Sequence, residues 1–182
     1  MHKIDWVSPL PRKGFMGSWD RFVGPGATDA EEWLQLLGGL LIALAVIALY
    51  WLDGGFSNNW LTSIFVVILA LDLGGGLLTN ATNTAKRWYH RPQHSKFALF
   101  RFIAIHGLHI GIVGWLFAQF PIVYFTLVFG FLLFAAVVIL WVPLYLQRPT
   151  AVLFLSLGLL GAQLQFFEVA GLNWFLPLLF FK

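Results

Sequence analysis

The sequence predicts an all-α integral membrane protein: a bundle of about five transmembrane helices, with a cytoplasmic N-terminus and a bent or re-entrant C-terminal segment. Three observations predict it. The 182-residue chain is 59% hydrophobic and only 10% charged, with a mean hydropathy of +0.81. A soluble domain of this size carries far more charge on its surface. Its apolar runs match the ~20 residues that cross a hydrocarbon core. The basic residues, finally, gather on one side of the layout that those runs imply.

Residues 1–30 are polar and broken by proline and glycine, but they also carry Trp6, Phe15, Trp19 and Phe22 among Lys3, Arg12, Lys13 and Arg21. Aromatics mixed with cations suit a segment at the headgroup level. A partly ordered tail is the plainer expectation. The chain therefore divides into an N-terminal interfacial segment, 1–30, and a transmembrane bundle, 31–182. The first apolar run starts near Trp33, too far along for the short core of a secretory signal, so it reads as a retained span.

The pattern Thr28-Asp-Ala-Glu31 predicts a capping box opening helix 1, over about 30–52, with Asp29, Glu31 and Glu32 complementing its dipole. Asp53-Gly-Gly stops it. Helix 2 is expected over about 59–84, helix 3 over 97–118 and helix 4 over 121–146, with helix 5 starting near Thr150. About 28 apolar residues then follow Ala151, interrupted by Gly171, Asn173 and Pro177. That stretch is too long for one upright span and too short for two, so a span to about Glu168 and a bent tail are expected.

With the N-terminus inside, ten of the eleven lysines and arginines lie on the cytoplasmic side, all but Lys182. The positive-inside rule then sets the orientation in a cell membrane. No internal repeat supports an inverted-repeat transporter.

The most informative residue is Asp72, in the run Ile64-Phe-Val-Val-Ile-Leu-Ala-Leu-Asp72-Leu-Gly-Gly-Gly. A carboxylate at that depth costs at least a few kcal/mol unless it is paired, protonated or wet. Helix 3 supplies His106 and His109 at a matching depth, and the geometry of two straight helices predicts contact between Asp72 and His106. Asp72, Gly76, Thr79 and Asn83 share one helical face, with Asn80 beside it. That face leads toward the basic connector Lys86-Arg-Trp-Tyr-His-Arg91, where Lys86, Arg87 and Arg91, with Asn80 and Asn83, are candidates for holding a substrate headgroup. Gln165 and Glu168 are placed to close the site from the outer side.

Three functional readings follow. Asp72, His106 and His109, with Glu168, form a candidate catalytic and metal site for a divalent transition metal, zinc or iron, acting on a lipid or isoprenoid substrate from the cytoplasmic side. The same residues suit a proton- or ion-coupled transporter or channel. The plainest reading is an Asp72–His106 pair that only holds helices together, as in a non-catalytic subunit of a larger complex. Expected partners are membrane lipids and either further copies of the chain or a larger membrane assembly, with no nucleic acid.

Several chemistries are excluded at this level. The absence of cysteine removes disulfides, thiolate nucleophiles and iron–sulfur ligation. There is no His-Glu-x-x-His zinc motif and no Glu-x-x-His di-iron pair. No lysine falls inside an expected span, which argues against a retinal-type Schiff base. Haem ligation by His106 or His109 would need an opposing histidine from another subunit. The triplet Gly74-Gly75-Gly76 is read as close packing first and ligand access second, with Gly39-x-x-x-Ala43 and Gly107-x-x-x-Gly111 supporting packing.

Overall fold

The structure is a computed structural model that describes residues 7–57, 59–91, 94–164 and 167–182. It is an all-helical membrane bundle. The helices are α1 (Gly14–Val23), α2 (Asp29–Leu52), α3 (Trp60–Ala81), α4 (Asn83–Tyr89), α5 (Lys96–Ala104), α6 (Gly107–Phe117), α7 (Pro121–Trp141), α8 (Leu144–Gly161) and α9 (Phe175–Phe181). Five stretches are long and apolar enough to span a membrane: α2, α3, α5 continued by α6, α7 and α8. Short connectors make α2 and α3, the α5–α6 span and α7, and α7 and α8 packed antiparallel neighbours, whereas α3 packs on α9 more closely than on the α5–α6 span that follows it.

The capping box forms as expected. Thr28 Oγ1 accepts from the Glu31 N–H at 3.2 Å, and the Glu31 carboxylate accepts from the Thr28 N–H at 3.0 Å. The same carboxylate accepts from Thr84 Oγ1 at 2.9 Å, tying the start of α2 to α4. The pairing of α2 with α3 is set by small residues. A Cβ on Gly39 would stand 2.8 Å from the Gly75 Cα, and one on Gly74 would stand 2.8 Å from the Gly39 carbonyl oxygen. Gly74 and Gly75 therefore serve close packing against α2, as Gly39 and Ala43 do from the other side. Gly107 and Gly111 are covered by Phe129 and Phe125 of α7.

Three boundaries differ from the sequence expectation. Helix 2 ends at Ala81 because Thr82 turns to an extended ψ of 149° and caps α4, accepting from the Ala85 N–H at 3.2 Å. Helix 4 ends at Trp141, not near 146, because Pro143 forces Val142 into an extended conformation, ψ 156°. Helix 5 consequently begins at Leu144, and Arg148 lies inside it rather than in a connector. Helix 3 is interrupted at Ile105–His106. There the bonds tighten to i→i+3, from the His106 N–H to the Ile103 oxygen and from the Leu108 N–H to the Ile105 oxygen, both 3.1 Å.

The N-terminal segment is docked. Residues of α4 cap the end of α1: Trp88 Nε1 donates to the Arg21 oxygen at 3.1 Å, and the Tyr89 hydroxyl reaches the Arg21 and Phe22 oxygens at 3.2 and 3.0 Å. These are carbonyls that a helix C-terminus leaves unpaired. Arg12 clamps Asp20 with its Nε at 3.0 Å and Nη2 at 2.6 Å, while its main-chain N–H donates at 2.7 Å. This pairing holds the Asp20 carboxyl below its usual range. Phe15 and Phe22 face outward, on the side of α1 away from buried Asp20 and Val23. Lys3 and Trp6 lie outside the described residues.

The C-terminal segment is re-entrant. After α8 the chain turns at the end of the bundle opposite the basic connector, where Gly171 packs on the Tyr50 ring. It then re-enters: Leu172, Phe175, Leu176 and Leu179 are buried with Tyr50, Val66, Leu69, Leu73 and Tyr124. The span before it stops at Gly161, earlier than the expected end near Glu168.

Candidate intramembrane site

The re-entrant α9 carries Lys182 into the bundle, beside α3. The Asn80 amide nitrogen donates to the Lys182 main-chain oxygen at 2.8 Å, and the Lys182 ammonium reaches Asp72 Oδ2 at 2.6 Å. Between these two anchors the lysine stem lies along Gly76, where a Cβ would stand 2.8 Å from Nζ and overlap Cε. Asp72, Gly76 and Asn80 are spaced i, i+4, i+8, so one stripe of α3 accommodates one extended side chain. A third small residue follows Gly74 and Gly75 because lysine, not another helix, occupies that place.

This corrects two sequence expectations. Lys182 does not stand alone outside the bundle; its side chain is only 8% exposed and is an ion-pair partner at mid-depth. The second is the exclusion of Schiff-base chemistry: no lysine falls in the interior of a span, as expected, but the α9 tail brings an amine in beside one.

The histidine partner is also corrected. Among the described residues the imidazole in ion-pair range of Asp72 is His109, with Nε2 3.7 Å from Oδ2, rather than His106. The interruption at Ile105–His106 explains the exchange. Tighter i→i+3 turns advance the helix by about 120° per residue rather than 100°, so residues beyond the break present a different face from a straight helix. His106 turns inward instead: its Nδ1 lies 3.2 and 3.1 Å from the Phe102 and Ile103 carbonyl oxygens. Its ring stays near His109, centroids 5.5 Å apart. The Asp72 side chain is 41% exposed, so the carboxylate is uncovered on one side.

A slot of about 230 Å³ opens beside this cluster, between α5, α7, α8 and α9. Its walls are apolar, with Phe131, Ala135, Ile139, Phe154 and Phe180 among them. Its polar members are Asn80, His106 and Lys182, so the charge cluster and the slot meet at the same residues.

The remaining expected residues separate from this centre. Asn83 opens α4 beyond the Thr82 break and is exposed, off the Asp72 face. Lys86 is exposed on α4. The Arg91 guanidinium stacks 3.7 Å from the Trp88 ring centroid and donates to the Trp88 carbonyl, so it is engaged locally. Arg87 lies half-buried on α4, on the side of Glu31. Glu168 is exposed in the turn before α9, and Gln165 falls outside the described residues. Among the described residues no three histidine, aspartate or glutamate side chains gather at metal-holding spacing, so Asp72, His106, His109 and Glu168 do not form one ligand set.

Fold and site together define a polytopic helical membrane protein with an Asp–Lys–His cluster at mid-bundle and an apolar slot beside it. No protein-family model, no curated protein and no solved structure matches the chain.

Proposed function

We propose that the protein is a membrane-embedded enzyme that draws a lipid or isoprenoid into the apolar slot and acts on its polar end. The observation that carries this reading is the sharing of Lys182 and His106 between the slot and the charge cluster. An ion pair that only joined helices would be sealed by apolar side chains, since unshielded charge in hydrocarbon is costly. Here Lys182 lines the slot, and the carboxylate of its partner Asp72 is partly uncovered. Access is from the cytoplasmic side, because the polar end of the slot lies at Asn80, one turn from the basic end of α3. The acid–base groups are Asp72, Lys182, His109 and His106.

The test uses the protein in lipid nanodiscs, incubated with a mixed polar-lipid and polyprenol extract. Native mass spectrometry reads bound lipid, and chromatography reads conversion. The expected result is one retained lipid per chain and a product that disappears in Asp72→Asn while the lipid stays bound. Proton flux in sealed liposomes that is lost in Asp72→Asn, with no retained lipid, would instead establish coupled transport.

A further inference from the structure

The slot's polar end has a chemical sign that narrows the ligand. Both carbonyl oxygens beside His106 Nδ1 are acceptors, so Nδ1 carries the proton. In the neutral ring Nε2 is then an acceptor. Among the described residues no hydrogen-bond donor meets it. Asn80 is oriented by the same logic. The Lys182 oxygen accepts, so the Asn80 atom facing it is the amide nitrogen, and Oδ1 is left as an acceptor with no described donor. The Lys182 ammonium is already paired with Asp72 at 2.6 Å.

Two acceptors beside a cation already paired with Asp72 are complementary to a hydrogen-bond donor and not to an anion. A carboxylate or phosphate would add a negative charge beside a pair that is already balanced, which hydrocarbon penalises. A hydroxyl supplies the missing hydrogen. The slot's volume, about 230 Å³, falls below the ~300–1,000 Å³ of pockets that enclose whole drug-sized ligands, a size that suits part of a single lipid chain.

Building on the enzyme reading, we propose that the substrate is a single-chain lipid alcohol, long-chain or isoprenoid, whose hydroxyl donates to His106 Nε2 with its chain lying between Phe131, Ile139, Phe154 and Phe180. His106 then binds and orients the hydroxyl by accepting its hydrogen bond at Nε2, beside the Asp72–Lys182 pair.

The test compares geranylgeraniol, its methyl ether and geranylgeranoic acid as competitors of a diazirine-bearing long-chain alcohol, at equal mole fraction in nanodiscs. The alcohol is expected to compete at least tenfold better than the ether, with cross-links mapping to α7 and α8. In His106→Phe, which keeps the ring but removes Nε2, the preference should shrink to within about twofold. Ala135→Phe, which fills the slot, should weaken all three. Equal competition by alcohol and ether in the unmodified protein, with cross-links still in the slot, would overturn the hydroxyl inference and leave a lipid-binding slot standing. Preference for the acid would likewise overturn it, in favour of head recognition by Lys182. Cross-links that avoid the slot and ignore Ala135→Phe would overturn both the inference and the enzyme reading.

Discussion

Lys182 and Asp72, 110 residues apart in the chain, meet as an ion pair with 2.6 Å between Nζ and Oδ2. The pair fastens the last helix to the second span, and it converts a lone intramembrane carboxylate into a balanced one. Removing either partner leaves the other charge in a poorly solvated place, which is the costly state.

The first prediction follows from that asymmetry. Asp72→Asn and Lys182→Met should each destabilise the protein by about 2.5–3.5 kcal/mol, the translocon-scale cost of an unpaired charge at a helix centre. The double variant should lose less than the sum, by about 0.5–3 kcal/mol of coupling. Reversible unfolding in mixed micelles, followed by circular dichroism, measures all three. Strict additivity would show that the residues do not meet.

The second prediction separates the histidines. His109 stands 3.7 Å from Asp72, while His106 bonds back to its own helix. A double-mutant cycle between Asp72→Asn and His109→Gln should therefore show measurable coupling. The cycle with His106→Gln should show about half of that or less. The reverse order would restore the partner that two straight helices predict.

How legible this site was in the sequence follows from where its parts sit. Span number, the capping box at Thr28 and the re-entrant tail were readable because each rests on local pattern or run length. Asp72 announced itself by its cost in hydrocarbon. Its true partner did not, since Lys182 ends an apolar stretch and reaches α3 only through a tertiary turn at Gly171. The choice of His109 over His106 was hidden by a helix break at which no proline stands. The signal available was Gly107 following a histidine able to bond back to its own helix. Pro143 was legible in principle as the end of helix 4, since the residue before a proline is driven to an extended conformation. Glu168 and Asn83 were assigned by spacing along straight helices that end sooner than expected.

The third prediction uses the glycine stripe. Gly76 faces the Lys182 stem, whereas a Cβ on Gly75 would meet nothing within 4 Å. Gly76→Ala should displace the ammonium from Asp72 and cost about 1–3 kcal/mol, the usual range for overpacking. Gly75→Ala should be neutral or slightly stabilising, as alanine favours a helix. Unfolding midpoints of the two variants, compared side by side, decide this. A harmless Gly76→Ala would mean the lysine takes another path.

The fourth prediction concerns acid. Arg12 hydrogen-bonds Asp20 and holds its carboxyl below the usual aspartate range. A depressed folded value means the stabilisation is fully present above the unfolded pKa of about 3.9 and is lost as pH falls through the folded value. The turn from Arg12 into α1 should therefore loosen below about pH 4, visible as faster amide exchange over residues 14–23. Asp20→Asn should remove this pH dependence and raise exchange at neutral pH. Acid-insensitive protection of that segment would show that the Trp88 and Tyr89 bonds alone hold it.

The last prediction sets orientation. Lys13, Arg21, Lys86, Arg87, Arg91 and Lys96 all sit at the end of the bundle where α3 finishes and α5 begins. The one lysine expected at the other end is drawn inward to Asp72, so that end carries no lysine or arginine among the described residues. Folding thus strengthens the charge asymmetry that the sequence showed, and the positive-inside rule puts the basic end in the cytoplasm. The chain has no cysteine, so single cysteines report cleanly. Lys13 and Asn173 are exposed at opposite ends; Lys13 is the N-cap residue of α1 but its side chain makes no cap hydrogen bond, and neither residue joins the site. In intact cells a membrane-impermeant maleimide should label Asn173→Cys and leave Lys13→Cys unlabelled until the membrane is opened. The inverse pattern would turn the bundle over. It would also move the polar mouth of the slot at Asn80 to the outer leaflet, and with it the side from which a lipid substrate must arrive.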